Sequence, residues 1–538
     1  MPIWGQAGQS VGVQQMNQNP GRNRRPLLGD LLAGIAIQAV YNPAKCEVMG
    51  IAADSRLVEP GFIFVAINGN KQDGHDYIRV AIARGAVAVV AERVTPGLLE
   101  GLSVSVIKVR SGRRALADLA CAFYGFPTRR MKMIGVTGTN GKTTSTFMID
   151  AILEAAGFKS GLIGTVLVKT GAGVYPARLT TPDALEIQRY LREMADQGAR
   201  FATMEISSQG VVQERIRGID FQIGVFTNMT PDHLDFHGTF EHYVAAKKRF
   251  IERLPSQGIA VLNNDDPIVA RSVAWTKARP VTYAIDSEAD ITARDLVYHR
   301  GGTRFTLCLN KPVPTLAGRM LPRSRWSLEL YLPGKHNVYN ALVASSTALM
   351  AGVSPAVIAW ALASFRCVER RMELVETNGP LILDDTALNP ASIHSVFQVI
   401  RTLPYERLVV VNALRGNRGA EVNRLNAQAL AEWAGRLGFL LVTTTSTGDV
   451  GDEDLVTKQE EEAFIEALNQ ARTRFLHFKD LAVALRVALA DLGKADLLVL
   501  LGAQGMDAGI RIARQLLCAP REVKPAPGMT LEPLEAIP

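Results

Sequence analysis

Short apolar runs rich in β-branched residues alternate along this chain with stretches of helical periodicity. The runs include Ile63-Phe64-Val65-Ala66, Val87-Ala88-Val89-Val90, Met133-Ile134-Gly135-Val136, Gly224-Val225-Phe226, Leu408-Val409-Val410-Val411 and Leu497-Leu498-Val499-Leu500. Each is nearly continuous rather than alternating, the pattern of a strand covered on both faces. Strand followed by helix, many times over, predicts α/β architecture with mostly parallel sheets. Breaks near Pro127-Thr128-Arg129-Arg130 and between Arg366 and Arg371 separate three domains, expected over 27–128, 129–366 and 367–518. A polar tail (1–26) and a Pro-rich tail (519–538) are expected to be disordered.

Composition fits this plan. The 538 residues are 47% hydrophobic and 21% charged, enough for three or four domains of roughly 100–200 residues each. The net charge of +7, from 59 Lys and Arg against 52 Asp and Glu, reads as a solvated surface with at most a bias toward anionic ligands. No basic stretch is interleaved with aromatics, so nucleic acid is not an expected partner. Cys46, Cys121, Cys308, Cys367 and Cys518 never form a CxxC pair, which argues against a zinc site or disulfide framework and for a reducing, cytoplasmic setting. No uncharged apolar run reaches the roughly 18 residues of a membrane span, and the N-terminus carries no apolar signal core.

The strongest chemical signal is Gly135-Val-Thr-Gly138-Thr139-Asn140-Gly141-Lys142-Thr143-Thr144, between an apolar strand and a helical pattern. Glycines let successive backbone N–H groups converge on phosphate oxygens, and the helix N-terminus adds partial positive charge. Lys142 is placed to meet the β- and γ-phosphates and Thr143 to offer its hydroxyl to Mg²⁺. The general phosphate-loop pattern has glycine at position 136, where this chain has Val136. Glu205, in Met204-Glu205-Ile206-Ser207-Ser208, and the segment Thr227-Asn228-Met-Thr-Pro-Asp232-His233-Leu-Asp235-Phe-His237-Gly238 both follow apolar strands. Polar residues at the carboxyl ends of parallel strands are where open α/β sheets bind ligands, and hard oxygen donors beside a phosphate suit Mg²⁺.

The segment Gly138 to Thr144 resembles the nucleotide loop of the Mur ligase family, which also includes folylpolyglutamate synthetase relatives. The wider match, over roughly 27–375, favours the type that adds an amino acid to a UDP-N-acetylmuramoyl peptide. The resemblance implies an N-terminal UDP-binding α/β domain, a central phosphate-loop domain and a C-terminal Rossmann-like domain. It assigns Gly138, Thr139, Asn140, Gly141, Lys142, Thr143, Thr144, Asn337, Arg371 and Asp385 to ATP. It assigns Thr143, Glu205, His233 and a carbamylated Lys247 to Mg²⁺, and Ser55, Thr180, Thr181, Ser207, Ser208, Gln213 and Arg215 to the acceptor. Lys142, Glu205, His233, Lys247 and Arg371 form the implied catalytic set. The implied reaction passes the γ-phosphoryl group of ATP to a substrate carboxylate, and an amino-acid amine then displaces phosphate from the acyl carbon. A cytoplasmic, monomeric enzyme of peptidoglycan precursor synthesis, and so of cell shape and division, is expected.

Several positions depart from the family pattern. Gln209 stands where the family has His, Arg370 where it has Gly, and Thr386 and Leu388 replace a Tyr and a His near Asp385. The regions that usually read the incoming amino acid correspond to Thr443–Asp449 and Gly502–Asp507 and carry neither the expected arginine nor the expected glutamate. The turn Arg415-Gly-Asn417-Arg418-Gly419 reads equally as a nucleotide contact, an amino-acid contact or a solvated loop. Two other readings stay open: a ligase for another carboxylate acceptor, of the polyglutamate type, and a nucleotide-binding pseudo-ligase.

Overall fold

The computed structural model describes residues 25–69, 72–96, 100–101, 103–299 and 302–518. Both expected tails lie outside the described residues, apart from Arg25 and Pro26; the Pro26 carbonyl already accepts from the Val48 amide at 2.9 Å. The chain divides into two compact units, Met1–Val368 and Glu369–Pro538. Among the described residues no helix is long and apolar enough to cross a membrane.

The first unit contains two large sheets. The N-terminal one comprises β1 (Ile37–Tyr41), β2 (Gly50–Ala52), β3 (Phe62–Val65), β4 (Ala88–Ala91) and β5 (Ser105–Val109), in the order β1-β5-β4-β3-β2. Only β1 runs antiparallel. Phe62–Val65 and Ala88–Ala91 are buried at every position, which explains their unbroken apolar runs.

The central sheet has eleven strands. In chain order they are β6 (Lys132–Thr137), β7 (Ser160–Ile163), β8 (Leu167–Lys169), β9 (Val174–Pro176), β10 (Phe201–Glu205), β11 (Phe221–Phe226), β12 (Ile259–Asn263), β13 (Arg279–Ala284), β14 (Ile291–His299), β15 (Gly302–Leu309) and β18 (Ser324–Leu330); β16 (Val313–Pro314) and β17 (Met320–Leu321) form a separate ribbon. The spatial order is β18-β15-β14-β13-β12-β11-β6-β10-β7-β8-β9, parallel from β14 to β7 and antiparallel at both margins. Helices Lys142–Ala155 and Lys335–Met350 pack together on one face, while Ala184–Asp196 and Phe240–Glu252 cover the other. Lys335–Met350 is buried from Asn337 and Val338 through nearly all of its length, small polar residues such as Ser345 and Thr347 included. The result places β6, β10 and β11 side by side at the centre, with their carboxyl ends carrying residues 137–144, 205–208 and 227–233.

The second unit has one sheet of β19 (Glu373–Val375), β20 (Leu381–Asp385), β21 (Leu408–Ala413), β22 (Leu440–Thr444), β23 (Phe475–Phe478) and β24 (Leu497–Leu501), ordered β19-β20-β24-β21-β22-β23. All pairs but β19–β20 are parallel. Separate apolar cores lie on its two faces, the doubly wound arrangement expected from the sequence. The glycine-rich turn 415–419 buries Arg415, leaves Asn417 and Gly419 exposed, and has its 417–419 amides taken by a carboxylate of the chain itself. The Glu460 carboxylate accepts from the amides of Asn417 (3.0 Å), Arg418 (2.6 Å) and Gly419 (2.7 Å), and Arg418 pairs with Asp454 at 3.3 Å.

Candidate active site

β6 runs between β10 and β11 and ends at Thr137, with Gly138 next in the chain. Gly138 has φ +143°, and a Cβ there would overlap the Thr227 hydroxyl. Gly141, φ +83°, is the N-cap of Lys142–Ala155, and a Cβ on it would lie 2.5 Å from Asn340 Oδ1. Both positions therefore require glycine. The loop following β11 braces the phosphate loop: Asn228 O accepts from the Thr139 amide, Asn228 Oδ1 from the Asn140 amide, both at 2.9 Å, and Thr227 Oγ1 donates to Asn140 O at 2.7 Å. With glycine at the N-cap, no side chain caps the first turn that carries Lys142, Thr143 and Thr144. A long helix that starts without a cap presents unsatisfied N–H groups and positive potential to whatever lies ahead of it.

Two lysines meet at this loop. Lys142 Nζ donates to Gly138 O at 3.0 Å and Thr139 O at 2.8 Å. Lys247 Nζ donates to the same Gly138 O at 2.8 Å, and its side chain is 1% exposed. Burial, reinforced by the nearby charge of Lys142, holds the Lys247 amine well below its usual range. The Tyr243 ring lies 5.0 Å from Lys247 Nζ and 6.0 Å from the His233 ring, so two of the four expected metal residues flank one aromatic side chain. His233 adopts a left-handed conformation, φ 53°, with its amide on Asp232 Oδ1 at 2.8 Å.

Glu205 ends β10 fully buried. Its oxygens accept from Thr143 Oγ1 at 3.0 Å, Thr165 Oγ1 at 2.9 Å and the Thr165 amide at 2.8 Å. All three donors are neutral, so the carboxylate sits at the end of the loop with its charge locally uncompensated by them. Thr165 was not foreseen, although it too follows the carboxyl end of a parallel strand, β7, and the same strand-end rule reaches it.

The acceptor residues continue this network. Thr180 Oγ1 lies 3.1 Å from Thr165 Oγ1, whose single hydrogen goes to Glu205, so the Thr180 hydroxyl donates. Thr181 Oγ1 donates to Glu205 O and accepts from the Ser207 amide, both at 2.9 Å. Ser207 Oγ caps the helix Ser208–Val212, and Arg215 donates to Thr181 O at 2.6 Å and Gln213 Oε1 at 2.5 Å. Ser208 Oγ lies 2.8 Å from His237 Nε2, a partner that sequence reasoning missed. Burial, with Lys247 and His242 nearby, pushes His237 down to about 4. Ser55 stands apart in the N-terminal sheet, buried in a turn capped by Asp54.

On the opposite side of the loop, Asn337 Oδ1 accepts from Asn340 Nδ2 at 3.1 Å, and Asn340 Oδ1 accepts from Ser145 Oγ at 3.3 Å. This ties Asn337 to the helix that opens at Gly141. Burial alone lowers the ring of His336 to about 4. Asp265 gathers the Tyr339 hydroxyl at 2.6 Å and the amides of Ile285, Asp286 and Ser287; against burial, these hold its carboxyl down to about 2.

Arg371 and Asp385 belong to the second unit. Burial raises Asp385 to about 6, against the pull of Arg371 and of the Met372 amide at 2.8 Å. Neighbouring Asp384, fully buried, is raised to about 7 by burial despite its ion pair with Arg370 at 3.2 Å.

Comparison with known proteins matches three successive family descriptions: Mur ligase family, catalytic domain (47–124), Mur ligase middle domain (136–348) and Mur ligase, glutamate ligase domain (370–504). A UDP-N-acetylmuramoyl-L-alanyl-D-glutamate–2,6-diaminopimelate ligase of Geobacillus thermodenitrificans (strain NG80-2) is 40% identical over 404 residues, covering 73% of this chain and 79% of that one. A UDP-N-acetylmuramyl-tripeptide synthetase of Roseiflexus sp. (strain RS-1) is 36% identical over 493 residues, covering 88% and 93%. A solved structure of UDP-N-acetylmuramoyl-L-alanyl-D-glutamate–2,6-diaminopimelate ligase superposes with a TM-score of 0.61 at 25% identity, covering 89% and 94%. With a relative this similar over most of its length, and the phosphate loop, buried glutamate and buried lysine together in one central domain, the chain belongs to the Mur ligase family, on the branch of the diaminopimelate-adding and tripeptide-forming ligases.

Proposed function

We propose that this ligase uses ATP to join a free amino acid to the peptide of a UDP-N-acetylmuramoyl acceptor. The observation that carries the reading is the uncapped helix start at Gly141, with Lys142 on the loop and Thr143 bonded to a buried glutamate. Backbone N–H groups of the first turn take the phosphates, and Lys142 leaves its loop carbonyls to meet them. A phosphoryl group in transfer spreads charge over its oxygens, so positioning and electrostatic stabilisation dominate. The acceptor carboxylate attacks the γ-phosphorus and ADP departs, leaving an acyl phosphate. The amine attacks the acyl carbon, loses a proton and expels phosphate.

Mg²⁺ fits the donors present. Thr143 Oγ1 and the Glu205 carboxylate are hard oxygen ligands, and Glu205 is a buried anion served by neutral donors. Among the described residues no three His, Cys, Asp or Glu side chains cluster, so substrate phosphates and a carbamate on Lys247 complete the set with His233. Bound Mg²⁺ supplies charge neutralisation at the phosphates. Burial and the charge of Lys142 both disfavour the protonated amine and so favour the form that takes up CO₂, and the resulting carbamate would be an anion attracted to Lys142. Thr180, Thr181, Ser207, Ser208, Gln213 and Arg215 hold the acceptor, Ser55 its uridine, and Arg371 and Asp385 contact the nucleotide. Five scattered cysteines with no CxxC pair agree with a cytoplasmic enzyme, and we take it to act as a monomer over the domains 27–128, 129–366 and 367–518.

The test incubates the protein with ATP, Mg²⁺, UDP-N-acetylmuramoyl-L-alanyl-D-glutamate and each amino acid in turn, reading phosphate release and product mass. Release with one amino acid, abolished in Lys142→Ala, supports the proposal. Calorimetric binding of Mg·ATP without turnover favours a pseudo-ligase, and absence of binding overturns the nucleotide site itself.

A further inference from the structure

Arg370 occupies a backbone position that disfavours it. Its φ is +57° and that of Met372 is +55°, so two of three consecutive residues are left-handed without being glycine. Such a conformation persists only where surrounding contacts over-determine it, and here they do. The Arg370 amide donates to Glu373 Oε2 at 3.0 Å, the Arg370 carbonyl accepts from the Thr386 amide at 3.1 Å, and the Met372 amide is held by Asp385.

The side chain completes the fastening. Arg370 is 9% exposed. Nε donates to Asp384 Oδ2 at 3.2 Å, Nη1 to Ala503 O at 3.2 Å and to Asp507, and Nη2 to Gly502 O. Asp384 lies at the end of β20, and Gly502 and Ala503 directly follow β24, its neighbour in the sheet. One planar guanidinium thus spans two carboxylates and two carbonyls, a geometry that a lysine cannot reproduce. It pins the segment 370–372 to the carboxyl ends of both strands. The residues on either side of this fastening are Arg371, next in the chain, and Asp385, next after Asp384.

We propose that Arg370 is a positioning residue for the nucleotide: by bridging the ends of β20 and β24 it holds Arg371 and Asp385 in the relation that ATP meets. The inference rests on the ATP-dependent reading above and deepens it. Four of the five Arg370 N–H donors are committed to the protein, so its role in this proposal is to position its neighbours rather than to bind substrate.

The experiment compares Arg370→Ala and Arg370→Lys with the full-length wild type, measuring Mg·ATP binding by calorimetry and steady-state parameters for ATP and for the acceptor. Displacing binding groups by an ångström or so can lower efficiency up to about a hundredfold, so kcat/KM for ATP is expected to fall at least about tenfold in both variants. The KM for the UDP-linked acceptor should stay within about twofold, since its proposed contacts are on the other unit. Arg370→Lys keeps a cation beside buried Asp384 and so decides the matter if Arg370→Ala does not fold. Unchanged ATP parameters in a folded Arg370→Lys overturn the proposal, and so does an equal loss for ATP and acceptor, which marks a general structural role. A wild type that fails to bind Mg·ATP brings down the ATP reading and this inference together; a binding wild type with an indifferent Arg370→Lys brings down this inference alone.

Discussion

Replacing Glu205 by Gln separates charge from shape at the centre of the site. The carboxylate has three donors: the Thr165 amide on Oε1, and the hydroxyls of Thr143 and Thr165 on Oε2. A glutamine oxygen at the first position keeps the amide bond. Its NH₂ at the second faces two hydroxyls, which rotate to accept. Three hydrogen bonds therefore survive, weakened from about 1.5–3 kcal/mol each to the neutral value of about 1 kcal/mol. Against that loss stands the several kcal/mol of desolvation that a fully buried anion carries and an amide does not. The two nearly cancel, and the variant should melt within roughly 2 kcal/mol of wild-type stability. Catalysis has no such compensation. Loss of one preorganised charged group at a phosphoryl-transfer site is worth about 3–4 kcal/mol, or 10²–10³ in kcat. The assay follows phosphate release across a Mg²⁺ titration beside a thermal melt: Glu205→Gln should keep its fold, lose at least about a hundredfold in kcat/KM and recover partly at high Mg²⁺. A folded variant with the wild-type Mg²⁺ dependence refutes the assignment of Glu205 to the metal.

Lys247 offers a chemical handle, since only the free amine forms a carbamate and burial, with Lys142 nearby, shifts the amine toward that form. Stripping CO₂ from the buffers should slow wild-type turnover and bicarbonate should restore it, whereas Lys247→Ala should lose at least about tenfold and gain nothing from bicarbonate; wild-type rates in the variant remove the carbamate. The pH dependence of the second unit follows from Asp384 and Asp385, raised by burial to about 7 and about 6. Between pH 5 and 7 the folded chain binds more protons at these two carboxyls than the unfolded chain, so stability falls as pH rises through that window, at about 1.4 kcal/mol per unit for each group still titrating. Hydrogen exchange in peptides from β20 and β24, corrected for intrinsic rates, should show slower opening at pH 5 than at pH 7, and Asp384→Asn should remove more than half of the difference; no change with pH refutes the raised values.

Much of the architecture could be read from the sequence because buried parallel strands leave unbroken apolar runs. Met133 to Val136, Leu408 to Val411 and Leu497 to Leu500 all form strands of the expected kind. The antiparallel margins of the central sheet were not anticipated. Strands such as Ile291–His299 and Ser324–Leu330 mix exposed and buried positions and carry no continuous apolar signal. Of the site, the phosphate loop was legible because its requirements are local: glycines at positive φ, a lysine and a threonine at fixed spacing. Partners that meet only through the fold were not. Lys247 reaches Gly138 O across 109 positions, and His237 meets Ser208 across 29. Arg370 was visible as a departure from glycine, but nothing in the sequence says that its guanidinium replaces glycine's freedom with four anchoring acceptors.

The turns at 138–144 and 415–419 show why a basic, glycine-rich loop after a strand is ambiguous on its own. Both precede a long helix, and both helices begin without a side-chain cap from the N-cap residue, Gly141 in one and Gly419 in the other. At 417–419 the anion that the amides attract is internal: Glu460, itself the N3 residue of a capping box with Thr457, lies 41 positions beyond Gly419 and is held below its usual range by those amides against burial. At 138–144 the inner amides of Thr139 and Asn140 are spent on Asn228, and the adjacent side chains at the helix start are a lysine and a threonine. The buried carboxylate of Glu205 accepts from the Thr143 hydroxyl in that first turn. On the reading proposed above, the anion that meets this helix start is a nucleotide phosphate from outside the chain, and the Thr143 hydroxyl with Glu205 would hold its metal.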